Sequence, residues 1–193
     1  MVKYTTLAFF LILVSCGIKT NLLEDKITEV PLNNEIFKNK TFFDKKLLNQ
    51  IDTTVVYEEF TKYIYKGLEK IKVNIPERLN KHDKTSTYQV YKFYNNGDVN
   101  LFVLYKNDSL KNNNIKPNYL GYRGVYYSKK NQIQIDLFTV TGYNFKKEYG
   151  IINNIIEMKG DTLFEKSTKD ITSVSVYIKR KIPKEFLNYK SDW

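Results

Sequence analysis

The sequence predicts a mainly β protein, an antiparallel meander that forms a small barrel or closed sandwich with one or two short helices. Three observations indicate this class. Runs of aromatic and β-branched residues recur at roughly ten-residue spacing, turn sequences rich in Asn, Gly and Asp separate them, and no long helical pattern follows residue 75. About seven or eight strands are expected, and a barrel of that size either fills its interior with side chains or holds one small ligand.

The first elements of the domain have weaker patterns. Residues 44–51 fit two helical turns with Asp44 as the N-cap, and the β-branched stretch DTTVVYEE after them predicts the first strand. Residues 60–71 fit either a helical stripe or a strand, and their alternation favours a strand to about Tyr65. Residues 74–86 are polar and predict a loop.

A hairpin is predicted over residues 88–105, with a type I′ turn at Asn96-Gly97. This register would pair Tyr91 with Phe102. Both faces of the hairpin are apolar, so it must be covered on both sides. The sequence leaves the inward face open: Tyr91, Phe93 and Phe102 would fill a small barrel, whereas Val90, Leu101 and Val103 would leave a cavity.

The second and third hairpins follow after a long polar loop. In the second, residues 121–138, a loop at 129–131 would pair Tyr127 with Ile133 and place Arg123 on the inward face opposite Leu137. The third turns at Gly160-Asp161. A last strand and one helical turn after Pro183 complete the chain, and the aromatic residues of this tail are expected to pack against the end of the barrel.

The amino terminus has the pattern of a secretory signal peptide. Lys3 precedes an apolar run over residues 7–14, and the small residues Ser15 and Gly17 flank Cys16. The run is too short to span a bilayer, which needs about 20 apolar residues. Residues 1–15 are therefore predicted to be a signal peptide.

Leu13-Val14-Ser15-Cys16 resembles a lipobox, the processing motif of bacterial lipoproteins. The resemblance implies cleavage between Ser15 and Cys16 and acyl chains on Cys16, which anchor a protein stably when two or more are present. Residues 16–43 are then a lipidated tether, whose last residues could cling to the domain, and residues 44–193 are a single β domain. The alternative is a free cysteine buried in an ordinary signal or core helix.

The strand and turn motifs FYNNGDVNLF, GYRGVYYSKKNQIQIDLF, GDTL and YIKRKIP resemble those of small uncharacterised lipoproteins of Bacteroidota-type bacteria. The resemblance covers roughly residues 44–184. It implies a lipocalin-like β domain in the cell envelope, anchored outside the cytoplasmic membrane and expected in the outer membrane. It implies no known activity and no site residue other than lipidated Cys16.

The formal charge of +10 raises the question of an anionic partner. Nucleic acid is not expected, because the protein is predicted to be exported and its lysines are scattered rather than gathered in a stripe. An anionic lipid surface would suit this charge. The alternative is a solvated lysine surface without a specific partner.

Few residues suggest catalysis or metal binding. The single histidine, His82, lies in a polar loop, and with Cys16 lipidated no thiol remains for a metal site or a nucleophile. Glu58 and Glu59 are adjacent, so on a strand they point to opposite faces. Arg123, if it points inward, could receive a carboxylate or phosphate group; the alternatives are an ion pair with Asp136 or exposure to water.

The sequence thus predicts a lipoprotein that binds rather than transforms its partner. The main hypothesis is a non-enzymatic binding module for a small apolar or amphipathic ligand, without a cofactor or a metal. The second is a structural lipoprotein with a filled core that contacts another envelope protein. The abundant tyrosines suit strand packing, although a stacking platform for sugars would also use them.

Overall fold

The structure, a computed structural model, describes residues 18–81, 86–106, 108, 110, 114–143, 147–169, 172–191 and 193. The strands are β1 (Thr20–Leu22), β2 (Glu29–Pro31), β3 (Val55–Lys66), β4 (Glu69–Asn74), β5 (Thr87–Phe93), β6 (Asp98–Tyr105), β7 (Tyr122–Lys129), β8 (Gln132–Tyr143), β9 (Lys147–Lys159), β10 (Thr162–Ser167) and β11 (Ser173–Lys181). The helical elements are short: 3₁₀ turns at Asn34–Ile36, Lys38–Phe42, Lys45–Asn49 and Lys184–Asn188, and one helix, α1 (Ile75–Lys81).

Eight antiparallel strands, β3 and β5 to β11, form a closed barrel. Each strand pairs with the next along the chain, and β11 pairs with β3 from Ser173↔Ile64 to Lys181↔Val55, which closes the ring. The predicted fold class is confirmed. The strand predicted to end near Tyr65 is also confirmed, but β4, which pairs with the far half of β3, was not predicted.

The β5–β6 hairpin has a three-residue turn instead of the predicted two. Tyr94 N–H donates to Asp98 C=O at 2.9 Å, and Gly97 takes φ +89° inside the turn. Tyr91 therefore pairs with Leu101 instead of Phe102. Tyr91 and Leu101 thus share the inward face, and Val90 shares the outward face with Phe102.

The β7–β8 hairpin has a two-residue turn instead of the predicted three. Lys130 and Asn131 have φ of +52° and +60°, as a type I′ turn requires at both central positions. Gly124 therefore faces Leu137, and a Cβ at Gly124 would lie 2.4 Å from Asp136 C=O. The pairing predicted for Tyr127 and Ile133 is wrong, because a shift of one residue reverses every side chain.

Both faces of the sheet are covered, as the apolar hairpins require. On the outer wall, Val90, Phe102 and Leu104 pack with Ile75 of α1 and Phe186 of the C-terminal turn. The polar loop predicted over residues 74–86 is wrong at Ile75–Lys81, where α1 forms. The C-terminal helical turn is confirmed, but its aromatic residues pack on the outer wall rather than on the barrel end.

One end of the barrel is closed. The tight turns at 95–97, 130–131 and 160–161 lie at this end. Leu47 and Ile51, from the segment capped by Asp44, pack into the interior there, and Asp44 accepts from Lys46 N–H at 2.9 Å, as predicted for an N-cap. Aromatic rings fill this half of the interior: Tyr57, Tyr91, Phe93, Tyr126 and Tyr177.

The segment predicted to be a tether packs on the barrel from residue 30 onward. Val30 and Phe37 are buried, Phe43 contacts the Tyr126 ring edge-on at 5.3 Å, and Asn39 donates to Asp136 at 2.8 Å. The packing against the barrel therefore continues across the predicted boundary between residues 43 and 44.

Candidate functional site

The candidate site is a cavity of about 250 Å³ at the open end of the barrel. This is the end where β5, β7, β9 and β11 begin and where the longer β6–β7 and β10–β11 connections lie. Its apolar lining comes from Leu101, Leu137 and Ile152, and its polar lining includes Ser173 and Ser175 of β11. The cavity exists because β10 and β11 direct the small side chains of Ser167, Ser173 and Ser175 into this half, whereas aromatic rings fill the other half.

Glu165 forms the polar floor of the cavity. Its Oε1 accepts from the Tyr91 hydroxyl and from Asn154 Nδ2, the latter at 2.6 Å. Its Oε2 accepts from the Tyr177 hydroxyl at 2.7 Å, and this hydroxyl lies equally close to Gln89 Oε1. The carboxylate is thus held by three donors from three other strands, which compensate for its burial.

The hydroxyl groups of the two floor tyrosines stay protonated near neutral pH and therefore act as hydrogen-bond donors. Burial, followed by the negative charge of Glu165, raises the pKa of Tyr91 and of Tyr177 well above the ordinary value. Both rings are fully buried and pack edge-on at 5.0 Å between centroids. The floor therefore has a fixed geometry that a ligand would meet already formed.

Glu59 lies where the barrel wall opens. β3 pairs with β5 only at Tyr57 and Glu58 before it turns away toward β4. Glu59 Oε2 accepts from Gln89 N–H at 3.1 Å and so replaces the missing strand partner. Burial raises the pKa of Glu59, although the Gln89 amide and the charges of Arg78 and Lys62 oppose the rise.

A second, wider cavity adjoins the first. It measures about 460 Å³ and shares Leu101 with it. Val103 and Tyr105 of β6, Tyr122 of β7 and Ile27 of the β1–β2 turn line it. Together the two cavities form an apolar entrance that leads to a polar floor. This arrangement suits a molecule with an apolar body and a polar group.

Arg123 lies outside the barrel, so its predicted inward orientation is wrong. Its guanidinium carbon lies 4.9 Å from the centroid of the Trp193 ring, and Trp193 Nε1 donates to Gly124 C=O at 2.8 Å on the outer wall. Arg123 also lines a cleft beside the β1–β2 hairpin. Its proposed ligand would have to bind there and not inside the barrel.

The other predicted residues are placed as follows. Ser15, Cys16 and His82 lie outside the described residues. Glu58 and Glu59 do point to opposite faces: Glu58 accepts from Arg180 Nε at 3.0 Å on the outer surface, whereas Glu59 lines the cavity.

Glu165 is not among the site residues predicted from the sequence, although it is the centre of the floor. The signal was its alternation with Leu163 and Ser167, all three on one strand face. That signal was weak because Phe164, on the other face, is also apolar and half-buried. The inward direction of β10 could therefore not be assigned from the strand alone.

Among the described residues, no cluster of His, Cys, Asp and Glu has the arrangement of a metal site. Within the same ranges, no helix has the length and apolar character needed to cross a membrane. Comparison with known proteins found no matching family model, no similar curated protein and no similar solved structure, so the function must be argued from the barrel itself.

Proposed function

We propose that this protein is a lipid-anchored protein of the bacterial cell envelope whose barrel binds a small amphipathic ligand without transforming it. The observation that carries the proposal is the polar floor of Glu165, Tyr91 and Tyr177 beneath the apolar walls of the open-end cavity. The anchor is Cys16, proposed from the lipobox resemblance alone.

The size of the cavity limits what it can hold. Pockets for drug-sized ligands usually measure about 300–1,000 Å³, and the inner cavity measures about 250 Å³. A ligand would therefore be small, or would insert one polar end and leave its apolar part along Leu101 and Val103 in the outer cavity. Hydroxyl, amide or ammonium groups would match the carboxylate oxygens of the floor.

Mass spectrometry of the full chain tests both parts of this proposal. The protein is expressed in a bacterial host that processes lipoproteins, extracted in mild detergent and measured under native and denaturing conditions. We expect a covalent acyl mass on a chain that begins at Cys16, and a second, stoichiometric mass that leaves on denaturation. Cys16→Ser should lose the first mass only.

Ser175 provides a matched pair of variants for the cavity. Ser175→Phe should fill the space beside the floor and abolish the second mass, whereas Ser175→Ala should keep it. Ligand binding would be contradicted if the native spectrum of the wild type showed no extra mass and the native spectra of the two Ser175 variants showed none either.

A second function is favoured by the filled half of the interior. Five aromatic residues occupy the closed end, as expected of a structural lipoprotein that meets another envelope protein through its outer surface. Chemical crosslinking in intact cells, with the same Ser175 variants, separates the two proposals. Crosslinks to one envelope protein that persist in Ser175→Phe would support this second function.

A further inference from the structure

The β3–β4 turn differs in chemistry from the other tight turns of the barrel. The closed-end turns at 95–97, 130–131 and 160–161 contain only Asn, Gly, Lys and Asp, as is usual for turns. The β3–β4 turn is Gly67-Leu68, and it lies at the open end. Gly67 has φ +61° and so supplies the backbone shape that the turn needs, but nothing in the turn requires a leucine.

Leu68 contributes nothing to the packing of the protein. Its side chain is fully exposed, at 106% of the reference area. Tyr65 on the same hairpin is 37% exposed. A single exposed leucine is ordinary on a protein surface, whereas several exposed apolar residues gathered at one place mark an interaction site.

Other exposed apolar residues lie at the same end of the barrel. Ile27 lies in the β1–β2 turn, Val103 and Tyr105 at the end of β6, and Tyr143 at the end of β8. We call these residues together with Tyr65 and Leu68 the open rim. The rim comes from four separate chain segments that surround the cavities, which suits a broad, soft surface better than a single protein groove.

Lysines accompany the open rim. The β3–β4 hairpin has Lys66, Lys70 and Lys72 against one acid, Glu69, near its tip. Lys70 Nζ lies 4.0 Å from the centroid of the Tyr63 ring, so its stem packs along the hairpin while its charge stays near the surface.

The nearby acids are engaged by the protein. Asp25 accepts from Ile27 N–H at 3.0 Å and from Thr28 N–H at 2.9 Å. Asp108 accepts from Tyr105 N–H at 3.0 Å. These carboxylates keep their charge, but lysines outnumber acids beside the rim residues: Lys26, Lys66, Lys70, Lys72, Lys106 and Lys147 against Asp25, Glu69, Asp108 and Glu148.

We propose that the open rim docks on the surface of a membrane that contains anionic phospholipid. Leu68 and Ile27 enter the headgroup layer, the tyrosines lie at the interface, where such rings are enriched, and the lysines contact lipid phosphates. The proposal goes beyond the proposed function and depends neither on Cys16 nor on a ligand. It places the mouth of the cavities against the bilayer.

Amide hydrogen exchange of the full chain tests the docking of the open rim separately from attachment through a lipid anchor. The protein is incorporated into vesicles of phosphatidylcholine alone, or of equal parts phosphatidylcholine and phosphatidylglycerol. In the anionic vesicles, amides of the β3–β4 turn and of the ends of β6 and β8 should exchange about tenfold more slowly. The closed-end turns at 130–131 and 160–161 serve as internal controls and should not change.

Variants separate the apolar and the charged contributions. Leu68→Ser, and Lys66→Glu with Lys70→Glu, should each remove the protection at the distant ends of β6 and β8. Leu187→Ser, an exposed leucine on the outer wall, is the matched control and should keep it. Equal protection at both barrel ends, equal protection in neutral vesicles, or protection that needs added envelope protein would overturn the proposal.

Discussion

Among single residues, Glu165 contributes both to the stability of the barrel and to the proposed ligand site. Three buried donors point at its carboxylate; without it Tyr91 and Asn154 would lose this acceptor, whereas the Tyr177 hydroxyl would still have Gln89 Oε1 at 2.7 Å. A buried donor without a partner costs about 1–3 kcal/mol. The same oxygens form the floor that a ligand would meet, so the geometry of the site is maintained by the core itself.

Glu165→Leu should therefore lower the free energy of unfolding by about 2–4 kcal/mol, because Tyr91 and Asn154 lose their acceptor at once while Tyr177 keeps Gln89. Glu165→Gln keeps one acceptor oxygen of the same size and should cost clearly less. Urea unfolding followed by circular dichroism measures both. Equal losses for the two variants would show that water entering from the cavity replaces the carboxylate.

At the scale of elements, the segment before the barrel acts as a part of the domain. Phe37 is 3% exposed and packs with Tyr94, Phe138 and Trp193 on the outer wall. Phe42, five positions later, is 53% exposed. A free tether would tolerate a change at either residue.

Phe37→Ala should lower the free energy of unfolding by about 3–5 kcal/mol, as for a large ring removed from a core. Phe42→Ala is the matched control and should change it by less than about 0.5 kcal/mol. Thermal and urea unfolding of both variants provide the comparison. A small effect at Phe37 would restore the interpretation of residues 16–43 as a tether.

At the scale of the whole molecule, tyrosine burial sets the response to alkaline pH. Burial raises the pKa of Tyr88 to about 12 and holds the pKa of Tyr91, Tyr126 and Tyr177 above the ordinary 10.0. A tyrosine whose pKa is higher in the folded than in the unfolded state contributes its full stabilisation below about pH 10. This contribution is lost as the pH rises through the pKa of the folded state. Lys92 acts in the opposite direction.

Burial lowers the pKa of Lys92 from 10.5 to about 8, so its unfavourable contribution at neutral pH is relieved as the pH rises from 8 toward 10.5. The free energy of unfolding should thus rise slightly from pH 8 to pH 10 and then fall steeply. Urea unfolding across this range measures it, and Lys92→Met is the control that should lack the initial rise. Tyrosinate absorbance beyond that of the exposed rings, such as Tyr105 and Tyr143, that appears before structure is lost would contradict the buried assignment.

Sequence reasoning correctly predicted the fold class, the three hairpins near the correct residues, the Asp44 cap and the need to cover both faces of the sheet. These follow from local chemistry: β-branched and aromatic runs favour strands, and Asn and Gly favour turns. The opposite orientations of Glu58 and Glu59 could also be predicted, since neighbouring strand residues must point to opposite faces.

The inward face of β8, with Ile133, Ile135 and Leu137, follows from its alternation and is confirmed, but the inward faces of β6 and β7 depend on the register, which the folded barrel sets. The β5–β6 turn is one residue longer than predicted and the β7–β8 turn one residue shorter, and each difference shifts the pairing by one and exchanges the two faces. Because β5, β6 and β7 have apolar residues on both faces, hydrophobic alternation could not correct the error. The shift placed Arg123 on the outer wall, whereas closure of β11 onto β3 placed Glu165 and Glu59 in one cavity.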